Sequence, residues 1–230
     1  MTTEKDIEEL NARLSNSEPK DIISQVSELW PNLAISFSGA EDVALIEIAS
    51  KLIDKPAIFT LDTGRLHAQT YEFIESVRRH YELRIETLHP DPQQLSQLIQ
   101  NKGLFSFYED GHEECCSIRK VEPLRNKLAT VDAWITGQRR DQSPTRAEVP
   151  IVQFDRSFSS PEHPVVKVNP LANWSSKDVW NYIRMFDVPY NKLHDAGFIS
   201  IGCEPCTRAV GPNQHEREGR WWWEEATIKE

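Results

Sequence analysis

Short β-rich runs separated by stretches of helical spacing recur over the first 140 residues, and this alternation restricts what the chain can fold into. The β-rich runs are residues 33–37, 57–61, 83–88 and 133–136. Between them, residues 42–53 place Val43, Leu45, Ile46, Ala49 and Leu52 at helical spacing, and residues 70–80, 93–100 and 117–128 follow suit. Pro123 is expected to kink the last of these helices. Strand–helix–strand repetition predicts an α/β fold with a mostly parallel sheet and helices on both faces. Residues 4–29 read as one or two amphipathic helices, broken near residues 17–19. From Pro150 to Pro170 the chain reads as loop. A helix over 176–186 follows, announced by Ser175 with Asp178 three positions on. Residues 1–206 are expected to form one α/β domain, with 207–230 as a C-terminal segment.

Composition narrows the function classes. The 230 residues are 39% apolar, and the mean hydropathy is −0.54, as in a soluble globular protein. No run has the apolar length that crosses a membrane. A net charge of −10 argues against a nonspecific nucleic-acid binder. It leaves room for a small anionic ligand wherever basic residues converge. No internal repeat or low-complexity tract is present. Residues 1–10 are acidic and polar, without the apolar run of a signal peptide, so a reducing cytoplasm is expected.

In such a compartment the four cysteines read as metal ligands. They come in two pairs, Cys115-Cys116 and Cys203 with Cys206. Four thiolates are what a tetrahedral zinc or an iron–sulfur cluster takes. A disulfide scaffold is excluded by the low cysteine density, and adjacent cysteines cannot bridge each other without severe strain. Structural zinc favours spaced knuckles, whereas ligands without a spacer favour a larger body such as a cubane; zinc stays the alternative. His112, three residues before Cys115, reads as exposed or locally hydrogen-bonded.

Ligands of parallel α/β sheets bind at the strands' carboxyl ends, and three such ends here carry anion-friendly chemistry. The first offers Ser36, Ser38 and Gly39 before Asp42, a glycine turn whose backbone N–H groups suit an anion, although an ordinary βα turn looks the same. The second offers Leu61, Thr63, Gly64 and Arg65. The third runs from Thr136 and Gly137 through Arg139 and Arg140 to Arg146, guanidiniums whose planar fork fits phosphate and sulfate. The bland alternative for Arg139, Arg140 and Asp141 is a structural ion-pair cluster.

These segments carry a family resemblance. Ser-Phe-Ser-Gly-Ala-Glu-Asp at 36–42 resembles the modified PP-loop of the adenine nucleotide α-hydrolase-like superfamily. Leu-Asp-Thr-Gly-Arg and Thr-Gly-Gln-Arg-Arg-Asp-Gln-Ser-Pro-Thr-Arg resemble its sulfonucleotide reductase branch. Glu-Cys-Cys-Ser-Ile-Arg-Lys and Gly-Cys-Glu-Pro-Cys-Thr-Arg resemble the cluster-binding adenylyl-sulfate (APS) reductases. The likeness spans residues 33–230. It implies a Rossmann-like PP-loop fold and one [4Fe–4S] cluster per chain on Cys115, Cys116, Cys203 and Cys206. It also implies APS as substrate, thioredoxin or glutaredoxin as thiol donor, and a homo-oligomer. Lys120 would support catalysis, and Arg217 with Arg220 would bind substrate, from one side if their stretch is helical. The family's nucleophilic cysteine, in a Glu-Cys-Gly-Leu-His motif, is expected immediately after Glu230, and no fifth cysteine occurs in the 230 residues. The alternatives are a 3′-phosphoadenylyl-sulfate reductase and a non-catalytic, metal-bearing nucleotide-binding regulator. A PP-loop adenylating enzyme ranks low, because Ala40 and Val43 depart from its Ser-Gly-Gly-x-Asp-Ser pattern.

Several of these residues also have dull readings. Lys120 could cover a helix surface, and Arg217 and Arg220 could lie in a solvated, salt-bridged stretch. His194 reads as a structural loop histidine. Trp221, Trp222 and Trp223 are expected to dock the last segment on the core.

Overall fold

The computed structural model describes residues 2–211 and 214–227. Two helices come first, α1 (Glu4–Leu14) and α2 (Pro19–Leu29). Thr3 caps α1 in a capping box with Asp6, and Pro19 opens α2 where its missing N–H costs nothing. Next come β1 (Leu33–Ser36), α3 (Ala40–Ser50), β2 (Ala57–Leu61), α4 (Ala68–His80), β3 (Ile85–Leu88) and α5 (Pro92–Lys102). The chain continues through α6 (Glu113–Cys116), a π-helical turn (Ser117–Val121) and α7 (Glu122–Leu128) into β4 (Ala133–Ile135). The remaining elements are β5 (Val152–Phe154), β6 (Val166–Val168), α8 (Ser176–Met185) and α9 (Trp222–Thr227).

The strands form one sheet in the order β3-β2-β1-β4-β6-β5, parallel except where β5 meets β6. This is the expected α/β architecture with a mostly parallel sheet. Its central strands are buried on both faces, so Leu33, Ala34 and Ile35 of β1 and all three residues of β4 are core residues. Helix α3 lies between β1 and helices α2 and α8, which is why it is apolar nearly all round instead of amphipathic. On the other face, Phe59, Leu128, Val131, Trp134 and Val165 form a smaller core.

Two local readings are corrected. The stretch read as loop contains β5 and β6, each three residues long and too short to show a period. Their order comes from distant partners: β6 pairs with β4, and Asn11 Oδ1 accepts from Ile151 N at 2.9 Å and Val152 N at 3.1 Å. Pro123 does not kink a continuous α-helix; it stands in the first turn of α7. Having no N–H, it leaves the preceding turn to a wider register, in which Glu122 N donates to Ser117 O.

Strand β1 has β2 on one side and β4 on the other, so the connections diverge there and a crevice opens past the carboxyl ends of β1 and β4. Its floor is pinned by Asn169, which is fully buried. Asn169 Oδ1 accepts from Thr136 Oγ1 at 2.6 Å, and its Nδ2 donates to Pro150 O at 2.8 Å. Asn169→Ala strands both partners in the interior and is expected to lower the unfolding free energy by about 2–3 kcal/mol, measured by urea denaturation. A loss below about 0.5 kcal/mol would show that the pin is dispensable.

Candidate functional site

The crevice holds a cavity of about 260 Å³. Ser36, Ser38, Gly39 and Asp42 line it from the β1 side, and Thr136, Gly137 and Gln138 from the β4 side. The two sides are tied by one carboxylate. Asp42 Oδ2 accepts from Ser38 N and Oγ at 2.8 Å and Gly39 N at 2.9 Å, while Oδ1 accepts from Gly137 N at 2.9 Å. The 36–42 turn is therefore not the open anion nest expected: the amides of Ser38 and Gly39 are taken by Asp42. Gly137 permits the approach, since a Cβ there would lie 2.5 Å from Glu41 Cβ and 2.6 Å from Asp42 Oδ1. Burial, then the charge of Glu41, pushes the Asp42 carboxyl up to about 6 against the pull of its Ser38 and Gly39 bonds.

Cations converge on the other wall. Arg146, Arg217 and Arg220 line the cavity and form no ion pair among the described residues. Burial holds all three guanidiniums below their ordinary range, and Arg217 adds repulsion on Arg146 and Arg220. Such a wall is relieved by an anion. Arg217 and Arg220 arrive on a turn, and Arg220 is fixed by an antiparallel bridge with Thr207. Arg139 departs from its expected substrate role. Its side chain is 1% exposed, donates to Glu41, Asp141 and Glu216, and does not line the cavity. As the residue that opens a 3-10 turn (Arg140–Gln142), it runs inward, and the ion-pair alternative describes it. Arg140 donates to Val149 O and Asn173, away from the cavity.

A second cavity of about 200 Å³ adjoins the first. It is lined by Leu61, Thr63, Lys120, Gly202 and Cys203, and it shares Ser38, Ile201 and Arg220 with its neighbour. Lys120 leaves the π-helical turn after Cys116 and pulls the pKa of Cys116, Cys203 and Cys206 downward. Gly64 and Arg65 lie outside both cavities. Gly64 takes a left-handed turn (φ 69°) closed by Asp62, whose Oδ1 accepts from Gly64 N at 2.8 Å. Arg65 instead lies over Phe105 and Phe107, facing the charges of Cys115, Cys203 and Cys206.

All four cysteines meet at this end. Cys203 and Cys206 pack with Phe107, Cys115, Trp221 and Trp223, and Cys116 lies within electrostatic reach of Cys115, Cys203 and Cys206. The Cys203–Cys206 turn is clamped by Glu204 N donating to Arg65 O and Trp221 N donating to Cys206 O. Hydrogen bonding from Cys206 lowers the pKa of Cys203 and raises that of Cys206. Thr63 Oγ1 lies 3.2 Å from Cys203 Sγ. Among the described residues no three thiols fall within 4.8 Å of one another. Four thiols gathered in one place are the donor set that a tetrahedral zinc or an iron–sulfur cluster takes. His112 is held locally: its Nδ1 is 2.7 Å from Glu224 Oε1, and its ring stacks on Trp221. Trp223 Nε1 donates to Phe107 O at 3.1 Å, the docking expected of these tryptophans.

Several residues of the site had no signal in the sequence. Glu41 and Glu216 reach the cavity through Arg139, 98 and 77 positions from it in the chain. Arg119 is buried and donates to Thr63 O at 2.5 Å, joining the cysteine helix to the second strand end. His194, expected as a loop residue, lines the first cavity, and its buried Nε2 has no partner among the described residues.

Residues 32–209 match the phosphoadenosine phosphosulfate reductase domain family. The chain is 57% identical over 236 residues to the adenosine 5′-phosphosulfate reductase of Pseudomonas aeruginosa (strain LESB58), covering 100% of this chain and 87% of that protein. It is 57% identical over 232 residues to the chloroplastic 5′-adenylylsulfate reductase 3 of Arabidopsis thaliana, covering 98% of this chain and 50% of that protein. Among solved structures, the phosphoadenylyl-sulfate reductase of Candida auris superposes with a TM-score of 0.76 at 25% identity, covering 91% of this chain and 98% of that one. The FMN adenylyltransferase of Candida glabrata shares the fold, with a TM-score of 0.61 at 16% identity over 95% of this chain and 74% of that one.

The raised pKa of Asp42 has a definite sign. Between the unfolded carboxyl value of about 4 and the folded value of about 6, the native state holds the proton and the unfolded state does not. The Asp42 contribution therefore favours folding at pH 4 and is lost as pH rises through 6. Relative to Asp42→Asn, the native protein is expected to lose on the order of 2 kcal/mol over that interval in pH-resolved urea denaturation. A difference that is flat or grows with pH would contradict the assignment.

Proposed function

The chain belongs to the phosphoadenosine phosphosulfate reductase family, and from that premise we propose that it reduces adenosine 5′-phosphosulfate (APS) to sulfite and AMP. The relatives named adenosine 5′-phosphosulfate reductase that match its whole length support the substrate. The observation that carries the reading is the place of Arg220, which lines both cavities at their junction. An adenylyl group in the larger cavity would direct its sulfate past Arg220 toward Lys120 and Cys203. Arg146 and Arg217 would offset the phosphoryl charge and Lys120 the sulfate charge. Nucleophile, sulfate and phosphate are all negative, so cations fixed beforehand lower the barrier between them.

Cys115, Cys116, Cys203 and Cys206 would hold one [4Fe–4S] cluster. When bound, it supplies an electrostatic and structural body beside the sulfate. With four thiols given to that body, the attacking thiol is a further one, which the family resemblance puts in sequence after Glu230. Its thiolate bonds the sulfate sulfur as the S–O bond to phosphate breaks, and AMP leaves with the electron pair. A dithiol of the thioredoxin or glutaredoxin class then supplies two electrons to the new sulfur–sulfur bond. Sulfite leaves, and the protein thiol is regenerated. The free thiols this needs belong to a reducing compartment such as the cytoplasm.

Purified without oxygen, the protein is expected to be brown, with about four irons and four labile sulfides per chain. Arg217→Ala and Arg220→Ala are expected to weaken APS binding by about tenfold or more, measured by calorimetry. A colourless zinc protein would overturn the cluster, and APS affinity unchanged in both variants would overturn the placement of the substrate.

A further inference from the structure

The larger cavity carries charge of both signs. Glu41 and Glu216, 22% and 18% exposed, line it together with Arg146 and Arg217, with Arg139 beneath the two carboxylates, and Gln142 bridges Arg146 to Glu41. That single guanidinium meets three carboxylates, Glu41, Asp141 and Glu216, so the surface it supports stays acidic. On Glu41 the bonds from Arg139 Nε (3.2 Å), Arg139 Nη2 (3.0 Å) and Gln142 Nε2 (3.0 Å) all fall on Oε1. Glu41 Oε2 accepts from none of the described residues. His194 lines the same cavity within reach of the Glu41 charge. A carboxylate oxygen that lines a cavity and has no partner among the described residues suits a hydroxyl donor, which a sugar supplies. Dinucleotide-binding folds apply the same logic: a carboxylate holds the free ribose hydroxyl, and arginine takes its part where the ribose is phosphorylated.

We propose that Glu41, backed by Glu216 and flanked by His194, is the specificity-determining residue that accepts a ribose with free hydroxyls and rejects one bearing an additional phosphate. This rests on the nucleotide reading of the cavity given above. The Glu41 and Glu216 carboxylates repel a phosphorylated ribose, while Arg217 and Arg220 take the 5′ anion that both nucleotides share. Discrimination therefore comes from a repulsive element and not from a better fit to the preferred ligand.

The test is calorimetric titration of the cluster-loaded full chain with AMP and with 3′-phosphoadenosine 5′-phosphate. The native protein is expected to bind AMP about tenfold or more tighter, and Glu41→Gln to bring the two affinities within about threefold of each other. The ratio is the readout because general damage to the site weakens both nucleotides alike. Glu216→Gln, expected to narrow the ratio in the same direction, serves if Glu41→Gln fails to fold. Equal affinities in the native protein, or a ratio that neither variant moves, overturn the proposal while leaving the nucleotide site in place. Failure of both nucleotides to bind the native protein would overturn the nucleotide reading itself.

Discussion

Everything at this site depends on how Arg220 is held. Its backbone bridges Thr207, its guanidinium lies 4.9 Å from the centre of the Trp221 ring, and Gly202 leaves the room it occupies. A Cβ on Gly202 would sit 2.4 Å from an Arg220 nitrogen. The same strand bridge clamps the Cys203–Cys206 turn, so the cation that joins the two cavities and the thiols behind it are placed by one piece of backbone. Half-buried charge without an ion-pair partner is costly, and among the described residues the chain accepts it three times, at Arg146, Arg217 and Arg220. Such an arrangement suits an anion.

The acidic groups of the same cavity are held by buried polar contacts. Asp42 ties the loops after β1 and β4 together, and Arg139 anchors Glu41 and Glu216 from below. Both are buried polar devices that fix backbone or side chains, Asp42 from the cavity lining and Arg139 from behind it. The cavity thereby carries charge of both signs, with Arg220 at the side shared with the cysteine-side cavity and Glu41 and Glu216 resting on Arg139.

The sheet was legible in the sequence because its central strands are continuous apolar runs separated by helices with clear spacing. Strands β5 and β6 were not, since three residues cannot display a period and their stability comes from partners elsewhere in the chain. Serine, glycine and arginine at the first and third strand ends (Ser36, Ser38, Gly39, Gly137, Arg146) do line the crevice, whereas Gly64 and Arg65 at the second lie outside both cavities, and the sequence did not show how each residue serves its place. Arg139 reads the same as Arg146 in the sequence; only the burial of one and the exposure of the other to the cavity separates anchor from ligand. Ser38 and Gly39 looked like open donors because the carboxylate that takes them, Asp42, reads as an ordinary first-turn acid. Glu41, Glu216, Arg119 and His194 gain their places through contacts or burial that no local pattern announces.

On the proposed placement, adenylyl and sulfate groups lie on either side of Arg220, with Lys120 belonging to the sulfate side alone. Lys120 lines the cysteine-side cavity and not the larger one. Paired titrations of APS and AMP into the native protein and Lys120→Ala test this directly. Native protein is expected to bind APS more tightly than AMP, and Lys120→Ala to remove most of this margin while AMP affinity stays within about twofold. Equal losses for both ligands, or an intact margin, would contradict it.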